Sequence, residues 1–81
     1  MPQATRLRLL SRPGCRLCEE MASALREFEV PFETVNVEED AALEAAYGES
    51  IPVLMIGDLE VVRAPQSRRT LKHALQQTGV I

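Results

Sequence analysis

The chain has 81 residues, 46% hydrophobic and 26% charged, with a net charge of −3: the proportions of one small domain, 1–81, whose core is thin because a chain this short buries only about 60–65% of its unfolded surface. An acidic balance gives no electrostatic grip on phosphate backbones, and aromatics at 4% with no Trp leave no stacking platform, so nucleic acid is not expected as a partner. No apolar run nears a membrane span, and Met1-Pro2-Gln3-Ala4 leads straight into the first predicted strand with no room for a signal peptide, so the expected compartment is the cytoplasm, without a membrane partner.

Thr5 to Ser11 reads as a strand, with Leu7 and Leu9 alternating with Arg6 and Arg8 and Leu10 following. Pro13-Gly14 is a turn. Gly14 through Phe28 reads as a helix: Leu17, Met21, Ala24, Leu25 and Phe28 share one face, and Glu19, Glu20, Arg26 and Glu27 the other. Pro31 breaks it. Phe32 to Val37 is a second strand with Phe32, Val35 and Val37 as its apolar members. Asp40 caps a short helix whose core side is Leu43, Ala46 and Tyr47, and Gly48 ends it. Pro52 opens a third strand, Val53-Leu54-Met55-Ile56, apolar on both faces and therefore central. Gly57-Asp58 is a two-residue hairpin loop with Gly first, which suits a type II′ turn. Leu59 to Arg63 is the fourth strand. Pro65 and Ser67 precede a last helix with Leu71, Ala74 and Leu75 inward. The order β-α-β-α-β-β-α makes an α/β fold, a four-stranded mixed sheet flanked by three helices on its two faces.

Cys15 and Cys18, the only cysteines, fall at the first strand-to-helix junction. At a helix N-terminus, free N–H groups and the positive end of the dipole favour a thiolate over a thiol. The second cysteine is one helical turn on, close enough to form a disulfide without moving the backbone. That is the layout of a thiol–disulfide site. The alternative is two small buried hydrophobes that happen to be neighbours. A second alternative is metal binding or delivery, since two thiolates suit Cu(I). Small copper chaperones, however, run β-α-β-β-α-β and end on a strand, whereas this chain has a helix before Pro52 and ends on one. No resident metal is expected.

Three segments together resemble the thioredoxin-like superfamily, and within it the glutaredoxins. Ser11-Arg12-Pro13-Gly14-Cys15-Arg16-Leu17-Cys18 is similar to the glutaredoxin active-site loop. Tyr47-Gly48-Glu49-Ser50-Ile51-Pro52-Val53-Leu54 is similar to the superfamily's approach to its cis-proline. The Gly57-Asp58 hairpin stands where the last β-hairpin does. The Arg-Pro-Gly-Cys and Ile-Pro-Val-Leu stretches resemble those of a subgroup of small bacterial glutaredoxin-like proteins. The resemblance spans nearly the whole chain.

It implies a thiol–disulfide oxidoreductase. Cys15 is then the attacking thiolate and Cys18 the less exposed resolving thiol. Pro52 would be cis and face Cys15, with the backbone of Ile51 pairing an extended substrate segment. Arg12 would assist the thiolate or a substrate carboxylate, or else be a solvated loop cation. Arg16 faces the same choice, tilted towards an exposed, electrostatic part. The expected partners of a monomeric enzyme of this kind are a protein disulfide or a low-molecular-weight thiol, with a reductase to recycle the site. Arg16-Leu17 replaces the Pro-Tyr of dithiol glutaredoxins, and Arg63-Ala64-Pro65-Gln66-Ser67 replaces their Gly-Gly…Asp stretch. Glutathione is therefore expected as a weakly bound co-substrate, with no resident cofactor. A thioredoxin-like domain that only binds a partner, indifferent to loss of both cysteines, is the remaining alternative.

Overall fold

In the computed structural model, residues 7–63 and 66–81 are described. They form β1 (Leu7–Ser11), α1 (Arg16–Glu27), β2 (Glu33–Asn36), a 3-10 turn (Val37–Glu39), α2 (Ala41–Tyr47), β3 (Val53–Ile56), β4 (Leu59–Arg63) and α3 (Arg68–Gln77). The predicted order is thus found. Thr5 and Arg6 of the predicted first strand, and Ala64 and Pro65 before α3, lie outside the described residues.

The four strands form one mixed sheet in the order β2-β1-β3-β4. β1 runs parallel to β2 and antiparallel to β3, and β4 returns antiparallel to β3. Composition decides who sits inside. β1 and β3 bury Leu7, Leu9, Leu10, Val53, Leu54 and Met55 across their two faces, which only a central strand can do. β2 exposes Glu33 and Thr34, and β4 exposes Leu59 and Arg63; charged or polar edges are poor templates for further pairing. On one face Leu7, Leu9 and Leu54 pack with Met21, Ala22 and Leu25 of α1 and Leu71 and Leu75 of α3. On the other, Leu10, Val53 and Met55 pack with Val37 and the half-buried Leu43 and Tyr47 of α2. A fully buried Leu contributes about 1.5–3 kcal/mol, so the α1–α3 face carries most of the hydrophobic stabilisation.

Gly57 has φ +58, and Ile56 pairs with Leu59 across it. That places the positive φ at the first position of the two-residue loop, as a type II′ turn needs.

Several boundaries differ from the predicted ones, each for a local reason. α1 begins at Arg16, because Gly14 has φ +78 and Cys15 is extended. Leu17 is 43% exposed and does not join the core; it sits in the first turn, beyond the part of the helix that covers the sheet. Cys18 and Ala22 are buried in its place. β2 stops at Asn36, whose side chain accepts the N–H of Glu38 and turns Val37 into the 3-10 segment. Ala46 is exposed, while Leu43 and Tyr47 do face the sheet. Gly48 follows α2 in right-handed helical conformation, φ −55, so it does not end the helix by a left-handed turn.

Candidate active site

The register assembles the site. Leu10 pairs with Val53, and Val53 pairs with Arg63 on its other side. The chain leaving β1 towards Cys15, the chain entering β3 through Ile51-Pro52 and the chain leaving β4 towards α3 therefore meet at one end of the sheet.

Between β1 and α1 the backbone makes a four-residue turn. The Cys15 N–H donates to the Arg12 carbonyl at 3.3 Å. Pro13 and Gly14 are its central residues, and φ +78 at Gly14 is the conformation that the third residue of a type II turn demands. Cys15 then takes the N-cap of α1, at φ −85 and ψ 104. Its sulfur accepts the Cys18 N–H at 3.1 Å, and its carbonyl accepts the Glu19 N–H at 3.1 Å. A cysteine thus does what Ser or Asp ordinarily does at this position. It meets one of the unsatisfied donors of the first turn, at the positive end of the helix.

Cys15 and Cys18 are joined as a disulfide, with Cα atoms 5.3 Å apart. Cys15 is half-buried and Cys18 is 1% exposed. The pair is asymmetric: one sulfur reaches the surface and the other faces the core.

The Ile51–Pro52 peptide is cis, as the resemblance implied. Pro52 is buried. Ile51 lies just outside the ladder, which begins at Val53, and is half-buried against the cluster around Leu10.

The arginines divide. Arg12 is half-buried and its guanidinium is taken up by neighbouring acceptors. One guanidinium nitrogen donates to Glu44 Oε2 at 3.0 Å and to the Gly48 carbonyl at 2.7 Å, and the other faces Glu38 at 3.5 Å. Arg16, in contrast, is 91% exposed, with only Glu20 at 3.9 Å. Arg63, from the end of β4, binds both carboxylate oxygens of Glu60 at 2.6 Å and donates to Ser50 Oγ at 3.2 Å. The hydrogen bond from Arg63 holds the Glu60 carboxyl below the usual carboxylate range, and Glu60 in turn holds the guanidinium above its own. The sequence singles out Gly48 only as a helix end and does not single out Glu38, Glu44 or Ser50 as partners of an arginine. Their common signal is an acceptor far along the chain that the fold brings to an arginine, which no periodicity reports.

Leu17's exposure has a structural counterpart. An open cleft of about 300 Å³ runs beside α1, floored by Leu17, Met21 and Ala24 and closed by Gln66 and Arg68 from the approach to α3. Among the described residues no helix is long and apolar enough to cross a membrane.

The model of the glutaredoxin-like domain (DUF836) matches residues 6–80. The X-ray structure of target protein XcR50 from X. campestris is 33% identical, covering 88% of this chain and 96% of its own, with a TM-score of 0.79. Protein Ne2328 from Nitrosomonas europaea, solved in solution, is 25% identical over 90% of this chain and 93% of that one, with a TM-score of 0.74. A buckwheat glutaredoxin in complex with glutathione shares the fold at 18% identity and a TM-score of 0.64, over 95% of this chain and 82% of that one. Among curated proteins none matches.

Proposed function

The chain belongs to the glutaredoxin-like domain family, and from that membership we propose that it is a thiol–disulfide oxidoreductase working through Cys15 and Cys18. The observation that carries the reading is the asymmetry of the pair: Cys15 caps a helix and is half-buried, while Cys18, one turn on, is shielded.

The reaction follows from that asymmetry. In the reduced protein the helix end and the Cys18 N–H favour the Cys15 thiolate. It attacks one sulfur of a substrate disulfide. A Cys15–substrate mixed disulfide forms, and the other substrate sulfur leaves as a thiolate, which takes up a proton. The Cys18 thiol loses its proton and attacks the Cys15 sulfur. The Cys15–Cys18 disulfide forms and the second substrate thiol leaves. Two electrons and two protons have passed to the substrate. Two glutathione molecules, or the dithiol of a reductase, return them. The substrate segment lies along Ile51, whose backbone is outside the sheet ladder. A protein disulfide suits that open backbone better than glutathione alone, since Gln66 supplies no acid for a γ-glutamyl amine.

The test is direct. The reduced protein is mixed with a disulfide-bonded peptide, and free thiols are followed by mass. Transfer of two hydrogens to the peptide, abolished by Cys15→Ser, is expected. A peptide left oxidised, with both cysteines of the protein still reduced, would refute the reading and leave a binding-only module.

A further inference from the structure

The loop that carries Cys15 is tied down by one side chain. The Arg12 carbonyl closes the turn that delivers Cys15 to the helix end, accepting its N–H at 3.3 Å. The Arg12 guanidinium leaves the same residue in another direction. It bridges Glu44 Oε2 at 3.0 Å and the Gly48 carbonyl at 2.7 Å. Gly48 is the residue after α2 and opens the segment Gly48-Glu49-Ser50-Ile51-Pro52. One residue thus touches both walls of the thiol site: the Cys15 turn through its backbone and the approach to Pro52 through its side chain.

Two further observations bear on what this contact is for. The first is charge. Glu44 lies at 3.0 Å and Glu38 at 3.5 Å from the guanidinium. Two carboxylates around one cation leave the cluster with no positive charge to offer a thiolate. The second is Gly48. Its φ of −55 suits any residue, so the backbone does not require glycine. Space does. A Cβ there would meet Glu44 twice, at its backbone carbonyl oxygen, 2.5 Å away, and at its carboxylate, with the Cδ at 2.7 Å. The carbonyl could give only by moving the helix end, and the carboxylate is held by Arg12. The glycine leaves room for the carboxylate to lie across the helix end and receive the arginine.

We propose that Arg12 is a positioning residue, a strap between the Cys15 turn and the Gly48–Pro52 segment that sets the thiol at the helix end by geometry and not by charge. The proposal rests on the thiol–disulfide reading above. Its chain of effect is short. The strap fixes the turn, the turn fixes the N-cap, and the N-cap places the Cys15 sulfur on the Cys18 N–H. Loosening the strap lets that donor and the helix end fall out of line, and the thiolate becomes less favoured.

The two ways in which an arginine can act give opposite signs for one variant. In a Cys18→Ser background, where Cys15 is the single thiol, iodoacetamide alkylation is followed from pH 4 to pH 9 for Arg12→Gln, Arg12→Lys, Glu44→Gln and Gly48→Ala. If the strap is right, Arg12→Gln slows alkylation at pH 6 by about tenfold, the change that accompanies a thiol about one pH unit less acidic. Glu44→Gln and Gly48→Ala slow it in the same direction although Arg12 is still present. Arg12→Lys recovers only part, because an ammonium can stand in for the one nitrogen that binds Glu44 and Gly48 but has no second nitrogen to face Glu38. If Arg12 acts by charge, Glu44→Gln unmasks that charge and alkylation at pH 6 becomes faster. A faster Glu44→Gln, or four variants all matching the parent, overturns the proposal. Should Arg12→Gln fail to fold, Glu44→Gln still decides, since the two ways of acting give it opposite signs; Gly48→Ala also strains the helix end against the Glu44 carbonyl and only supports it. Peptide reduction by the unmodified protein, run alongside, separates the two claims. A parent that does not exchange sinks the function, while the alkylation series still judges the strap.

Discussion

The backbone N–H of Cys18 donates to the sulfur of Cys15 at 3.1 Å. The two cysteines are therefore linked twice, by the disulfide and by a hydrogen bond. The donor belongs to the residue whose own sulfur is buried, so the shielded cysteine contributes its backbone to the exposed one. If the pair exchanges disulfides as proposed, activation and resolution share a single turn of helix.

Replacing the resolving thiol should stop the reaction halfway. Cys18→Ser is expected to accumulate a stable mixed disulfide with oxidised glutathione or with a disulfide peptide, and Cys15→Ser to accumulate none. Intact mass after non-reducing work-up reads both. Equal trapping by the two variants would show that the burial difference does not assign the roles.

Glutathione itself should bind weakly. A γ-glutamyl site needs an acid for the amine and free donors for the carboxylate. Gln66 offers no acid, Pro65 (outside the described residues) lacks an N–H, and Leu17 stands where an aromatic would flank the peptide. Two lost charge-assisted bonds at about 1.5–3 kcal/mol each weaken binding at least a hundredfold relative to an ordinary dithiol glutaredoxin. Titration of the Cys18→Ser protein, watched by amide shifts, is the measurement. Saturation below millimolar concentration, with shifts at both Ile51 and Gln66, would contradict the expectation.

The Glu60–Arg63 pair makes a pH-dependent contribution of known sign. Its hydrogen bond lowers the folded-state pKa of Glu60 below that of the unfolded chain. The pair therefore stabilises the fold above the unfolded carboxyl's range, and the contribution fades as pH falls through the folded value. Both groups are solvent-accessible and screened, so the effect is small and shrinks with salt. Unfolding midpoints of the parent and Glu60→Gln are expected to differ at neutral pH and converge in acid. A gap that widens on acidification would reverse the sign.

Core truncation on the α1 face should be costly. Leu25 is 0% exposed and packs among Leu7, Leu9, Leu54 and Leu75. Leu25→Ala is expected to lose about 2–5 kcal/mol in denaturant unfolding. A loss under 1 kcal/mol would show that the helix can settle into the gap.

How much of this was legible depends on the range of the interaction. Alternation at Leu7 and Leu9, the apolar run Val53–Ile56, the Gly57-Asp58 loop and the Asp40 cap are local patterns, and all of them are found. Leu17 and Ala46 were misplaced because a helical stripe gives the direction of a side chain but not where the sheet beneath it ends. Val37 was read as strand because its burial is the same in a 3-10 turn. The fate of Arg12 was out of reach. Its acceptors lie 32 and 36 positions along the chain, and only the fold brings them to one guanidinium. The cysteine pair was legible because its chemistry lives within four consecutive residues.

The two sides of the thiol site are unequally secured. α1 sinks Cys18, Met21, Ala22, Ala24 and Leu25 into the core, whereas α2 has seven residues and not one of them is buried. Local opening needs only the free energy of what is released. Amides of Ala41–Tyr47 should thus exchange with deuterium well before those of Met21–Leu25, without unfolding of the whole. One side of the cysteine pair is anchored, and the opposite side is expected to open first. Opening on that side would also free Glu44 and Gly48 from Arg12, so the placing of the Cys15 turn would depend on whether α2 is closed.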